Sequence, residues 1–143
     1  PASELPPVGI VAPSEEVAKG RGTILVVDDE EIIAAVTAEM LEQLGYQVLT
    51  ARSGAEALEL YGRHRDKIDL VIMDMIMPGM SGGEAIERIL ALNPEASIIL
   101  SSGYSLNGMA KEVLNKGARA FLQKPFRMDA LSRKIQEILN SRK

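Results

Sequence analysis

The chain reads as an α/β protein, a doubly wound parallel sheet with helices on both faces. Three observations predict it. Strand-like and helix-like segments alternate five times from Thr23 onward, the pattern of successive βαβ units. The connections between them are short. Leu70-Val71-Ile72-Met73 also runs into Asp74 with no polar alternation, as a strand buried on both faces does.

In chain order, residues 1–20 come first and differ from the rest. They carry four prolines and no sustained period, so a flexible linker is expected there, with the folded domain over 21–143. A start at Pro1 behind such a lead-in makes a piece of a longer chain the expectation. Thr23-Ile24-Leu25-Val26-Val27 is the first strand, and Asp28-Asp29 follows it. Ile33, Val36, Met40 and Leu44 recur at spacings of three and four, which predicts a helix buried along that stripe. Gly45 is placed to cap it. Gln47–Ala51 is the second strand. Ser53-Gly54-Ala55-Glu56 has the form of a capping box, opening a helix that runs to about Arg65.

The strand at 70–74 is third. Pro78 and Gly79 turn the chain, and Ser81-Gly82-Gly83-Glu84 repeats the capping form. A helix follows on Ile86, Ile89 and Leu90. Ser97–Leu100 is the fourth strand, running into Ser101-Ser102-Gly103. Leu106, Ala110, Val113 and Leu114 outline a fourth helix, weakened at its start by Asn107 and Gly108. Ala120–Gln123 is the fifth strand, closed by Lys124-Pro125. Leu131, Ile135, Ile138 and Leu139 carry the last helix. Right-handed crossovers leave few windings for five such units, and the flavodoxin-like order 2-1-3-4-5 suits this length.

Composition narrows the function. With 46% hydrophobic and 25% charged residues among 143, the chain can bury a sizeable core. A net charge of −4 gives no support for broad nucleic-acid binding. The absence of cysteine excludes disulfides and thiolate metal sites, and no apolar run reaches the length of a membrane span. A cytoplasmic setting is expected, even if a parent chain is anchored in a membrane. The one histidine, His64, lies among Arg63, Arg65 and Asp66, the setting of a solvated helix end. Catalysis through a histidine triad is therefore not expected.

The remaining polar residues gather at one edge. Asp28 and Asp29 follow strand one, Asp74 ends strand three, Ser101 follows strand four and Lys124 follows strand five. In the 2-1-3-4-5 order strands one and three are neighbours, so the carboxylates converge where such sheets bind their ligands. Taken singly, each residue has a plainer reading. Asp28 or Asp29 could cap a helix, Asp74 could accept bonds from the next turn, Ser101 could be a structural hydroxyl and Lys124 a solvated charge. Together they point to chemistry. Crowded carboxylates call for positive charge, and a hard cation with oxygen ligands, Mg²⁺, suits a shallow site that keeps waters. With a lysine and a hydroxyl beside it, the site suits a phosphoryl group, and Asp74 can take one up as an acyl phosphate.

These pieces resemble the receiver domain of bacterial two-component response regulators. The resemblance is carried by Leu25 through Glu30, Asp74 through Gly82, Ser101-Ser102-Gly103-Tyr104 and Lys124-Pro125-Phe126, and covers about residues 22–140. It implies that Asp74 is the phosphoacceptor. It implies that Asp29 and Asp74 ligate Mg²⁺ directly, that Asp28 acts mostly through a water, and that the Ile76 carbonyl completes the protein ligands. It further implies that Ser101 is the switching hydroxyl, that Lys124 pairs with the phosphoryl oxygens, that Phe121 is the aromatic switch and that the Lys124–Pro125 bond is cis. Two positions depart from the commoner pattern: serine stands where threonine is frequent, and Ile76 is apolar where many relatives are polar, which bears on the lifetime of the acyl phosphate.

The same resemblance implies a histidine kinase or a histidine phosphotransfer domain as partner, and a homodimer through the face of helix four, strand five and helix five. The Pro-rich lead-in and the Ser101-Ser102-Gly103-Tyr104-Ser105 form resemble receivers at the end of hybrid sensor histidine kinases. A single-domain regulator is the alternative, as is a degenerate receiver that only docks proteins. Two enzyme or cofactor classes fit less well. A haloacid dehalogenase-type phosphatase needs an aspartate where Ile76 stands. A flavodoxin needs aromatic residues, here 3%, and a phosphate loop where Asp28-Asp29-Glu30 would repel the phosphate.

Overall fold

A computed structural model of the chain describes residues 22–103, 108–124 and 126–141. The expected linker at 1–20, the stretch 104–107 with the weak start of the fourth helix, and the Lys124–Pro125 bond lie outside the described residues.

The elements are β1 (Thr23–Val27), α1 (Glu31–Gln43), β2 (Gln47–Ala51), α2 (Gly54–His64), β3 (Ile68–Asp74), α3 (Gly82–Leu92), β4 (Ile98–Ser102), α4 (Gly108–Asn115), β5 (Ala120–Gln123) and α5 (Met128–Ser141). All neighbouring strands are parallel, in the spatial order β2-β1-β3-β4-β5. That is the expected 2-1-3-4-5 winding.

Strand residues alternate between two cores because successive side chains point to opposite faces. Leu25, Val71, Met73, Ile98 and Leu100 pack with Ala57 and Tyr61 of α2, Ile86 and Ile89 of α3 and Val113 of α4. Ile24, Val26, Leu70, Ile72, Ile99 and Leu122 pack with Ala34 and Leu41 of α1 and Leu131, Ile135 and Ile138 of α5. Each face is thus covered by helices, and the central strands are buried on both sides.

Local signals account for three of the helix ends. Leu44 is the C-cap of α1, and Gly45 follows at φ 103°. Tyr46 N donates to Leu41 O, and Gly45 N to Glu42 O, both at 3.0 Å, the paired bonds of a Schellman end. Ser53 Oγ caps α2 by accepting from Glu56 N, and Glu56 reaches back to Arg52 N, one residue before the capping serine. Ser81 Oγ accepts from Glu84 N, while the Glu84 carboxylate pairs forward with Arg88, so the second box is closed on one side only.

Three boundaries or faces differ from expectation. β3 begins at Ile68 rather than Leu70, taking in Asp69, whose Oδ2 accepts from Thr23 N at 2.9 Å. β4 runs to Ser102 rather than Leu100, which makes both serines strand residues on opposite faces. α1 is turned by about one residue. Its buried side chains are Ala34, Thr37 and Leu41, while Val36 of the expected stripe is 51% exposed. Small Ala34 and Thr37 let the helix lie close to the sheet, and the bulkier Ile32 and Val36 are left outward.

Candidate functional site

Asp28, Asp74 and Lys124 meet at the carboxyl edge because three parallel strands end there side by side. β1 delivers Asp28 one residue past Val27, and β3 ends on Asp74 itself. β5 delivers Lys124, whose backbone N–H donates to Ser102 O at 2.7 Å. The Lys124 ammonium bridges Asp28 Oδ2 at 3.0 Å and Asp74 Oδ1 at 3.1 Å. Carboxylate oxygens of Asp28, Asp29 and Asp74 all lie within 4.8 Å of one another. Asp28 is doubly engaged, since its Oδ1 also accepts from Glu30 N at 2.9 Å. It therefore holds the turn into α1 and faces the site at once.

Charge in this cluster is unbalanced. Asp74 is 4% exposed, and burial raises its pKa to about 6, with the Asp28 and Asp29 charges adding to the rise and the Lys124 bond opposing it. Burial alone would lower the pKa of Lys124. Its bonds to Asp28 and Asp74, and their charges, outweigh that, so the ammonium is held more firmly than usual. One lysine faces three carboxylates, and hard oxygen donors this close fit a divalent cation.

Above the carboxylates opens a cleft of about 770 Å³. Asp29, Asp74, Lys124, Ser102 and Gly103 form its polar end. Ile32, Ile33, Val36 and Met40 of α1 line it with apolar side chains, as do Ile76 and Phe126. Ile32 is 78% and Ile76 53% exposed, an apolar surface continuous with a buried carboxylate.

Most of the expected residues are brought together here: Asp28, Asp29, Asp74 and Lys124, with Ile76 beside them. Ser101 is placed differently. It is buried, pairs with Asp74 across the β3–β4 ladder, and its Oγ donates to Met73 O at 3.4 Å. Ser102, which the sequence reading passed over, lines the cleft. The signal that could have found it is the length of β4. Leu100 belongs to the core under α3 and α4, so Ser102 shares its face and Ser101 does not. Phe121 pairs with Leu100 and is half-buried against that same core.

The fold and the cleft define a doubly wound α/β protein with an acidic site at its switch point, between β1 and β3. Comparison with known proteins makes this specific. The model of the response regulator receiver domain family matches residues 24–136. Chemotaxis protein CheY of Bacillus subtilis is 35% identical over 118 residues, covering 82% of this chain and 97% of that protein. Autoinducer 1 sensor kinase/phosphatase LuxN of Vibrio campbellii is 35% identical over 130 residues, 91% of this chain but 15% of LuxN. A response regulator receiver domain protein from Clostridium thermocellum superposes with a TM-score of 0.81 at 34% identity, over 85% of this chain and 96% of that one. The chain belongs to the response regulator receiver domain family. It spans only 32% and 13% of two further relatives, a cyclic di-GMP phosphodiesterase of Thermotoga maritima and the sensor kinase CckA of Brucella abortus.

Proposed function

We propose that this receiver takes a phosphoryl group from a phosphohistidine onto Asp74, with Mg²⁺ held by Asp29, Asp74 and the Ile76 carbonyl and steadied by Asp28. The observation that carries the reading is the Lys124 ammonium bridging Asp28 and Asp74 inside a three-carboxylate cluster. A carboxylate oxygen of Asp74 forms the new P–O bond while the P–N bond to the donor imidazole breaks, its electron pair returning to the nitrogen. Burial makes Asp74 more basic than an ordinary aspartate, yet ionised at pH 7. Lys124 can move its charge from the carboxylates to the phosphoryl oxygens. When bound, the cation neutralises charge on those oxygens.

Treatment with acetyl phosphate and Mg²⁺ should add one phosphoryl group, seen by intact mass, and Asp74→Asn should add none. Equal labelling of both would overturn the assignment. No labelling at all would favour the docking-only reading.

The hydroxyl that meets the phosphoryl group is read here as Ser102 in place of Ser101, on the support of its place in the cleft. Ser102 and Phe121 share a sheet face, so movement of the hydroxyl can free space for the ring. Ser102→Ala should then uncouple phosphorylation from shifts in the β5 amides, and Ser101→Ala should leave that coupling intact. The reverse pattern would restore Ser101.

For the donor, the apolar wall of α1 beside the cleft supports docking of a helix that carries the phosphohistidine. Val36→Asp should slow transfer from a phosphorylated histidine phosphotransfer domain and leave acetyl phosphate labelling unchanged. A hybrid sensor histidine kinase is the parent context we favour, supported by the sensor kinases among the relatives. A homodimer through α4, β5 and α5 would show as a mass increase in solution on beryllofluoride addition.

A further inference from the structure

Two elements meet at backbone contact beside the phosphoacceptor. A Cβ placed on Gly82 would overlap the Asp74 carbonyl oxygen and come within 2.8 Å of Met75 Cα and 3.1 Å of Asp74 C. All three atoms are backbone, so no side chain can turn aside. Successive peptides are tied on both sides: Met75 N donates to Ser101 O at 2.8 Å, and Gly82 N donates to Met75 O, of the following peptide, at 2.9 Å. The Asp74–Met75 peptide is thus wedged between β4 and the first turn of α3. Its plane sets the direction of the Asp74 side chain and of the chain leading to the Ile76 carbonyl.

We propose that Gly82 is a positioning residue for the phosphoacceptor, its missing Cβ letting α3 seat on the Asp74–Met75 peptide and hold Asp74 in register with Asp28, Asp29 and Lys124. The proposal rests on the reading of Asp74 as the acceptor. It differs from a helix-forming role, because an alanine in the first turn of a helix is ordinarily favourable relative to glycine. Gly83 is the matched control. It is the next residue in the same turn, also buried, but a Cβ there would meet a side-chain methyl, Val113 Cγ2, at 3.1 Å.

Gly82→Ala and Gly83→Ala are compared with the unaltered chain by Mg²⁺ titration, followed through the amide shifts of residues 74–76, and by the rate of acetyl phosphate labelling. Loss of a group that orients a ligating residue costs about 10–100-fold in metal affinity, and that loss is expected for Gly82→Ala while Gly83→Ala stays near the parent. A folded Gly82→Ala with the parent's Mg²⁺ affinity and labelling rate would overturn the proposal. So would a Gly82→Ala chain that fails to fold even when Gly62→Ala is added for stability, since the glycine would then serve the fold and not the site. If the unaltered chain takes up no phosphoryl group, the proposed function fails, and the Mg²⁺ titration still decides the role of the glycine.

Discussion

Asp74 shows how one residue carries opposed demands. In its proposed role its carboxylate must ionise to accept a phosphoryl group, yet burial holds its pKa at about 6 against an ordinary 3.8. Between those values the folded chain binds a proton that the unfolded chain has released, so stability falls as pH rises through the window. The cost of the ionised carboxylate is complete above about pH 6 and absent below about pH 4. Asp74→Asn should therefore stabilise the Mg²⁺-free protein at pH 7.5, and solvent in the open cleft limits the gain to on the order of 1 kcal/mol. Urea unfolding in EDTA at pH 7.5 and pH 4 tests this, and an equal difference at both values would contradict it. A cation competes with the same proton, so Mg²⁺ affinity should fall as pH drops below about 6.

At the scale of elements, α1 is the instructive case. It is apolar on more than one face, so period alone does not choose which side meets the sheet. Leu41 is fully buried, and Leu41→Ala should cost about 2–5 kcal/mol. Val36 faces solvent beside the cleft, and Val36→Ala should fall within about 0.5 kcal/mol of the parent. Denaturant midpoints of the two variants would show which face is buried; the reverse order would restore the stripe read from spacing. α2 offers the opposite lesson. Gly62 lies in its exposed part, and a Cβ there would meet nothing within 4 Å. Gly62→Ala should stabilise by roughly 0.5–1 kcal/mol, measured as a rise in thermal midpoint with labelling unchanged.

Across the whole molecule, the parallel winding brings residues 28, 74 and 124 to one edge from distant parts of the chain. A cation that binds only this assembled edge should stabilise the entire fold, by about 2.7 kcal/mol at a hundred times its dissociation constant. Thermal unfolding with and without Mg²⁺ measures that increment, and Asp29→Ala should remove most of it while leaving the metal-free midpoint nearly unchanged. An increment of the same size in Asp29→Ala would place the cation elsewhere. Among the described residues no helix is long and apolar enough to cross a membrane.

The order of elements, the winding and the acidic edge were all legible from the residues. Buried parallel strands are uniformly apolar, Gly45 and Ser53 mark helix ends through local bonds, and a carboxylate ending an apolar strand has one place to go. These are short-range rules, and they hold wherever the chain lies in the fold. What they could not decide is which of two equivalent choices the packing takes. The face of α1 depended on how closely Ala34 and Thr37 let it approach β1 and β2. Whether Ser101 or Ser102 meets the cleft depended on the register of β4 against β3 and β5, because a slip of one residue exchanges the faces of the two serines. The fit of Gly82 against Asp74 is likewise a contact between α3 and a strand end. Only the assembled sheet, with its helices in place, sets those distances.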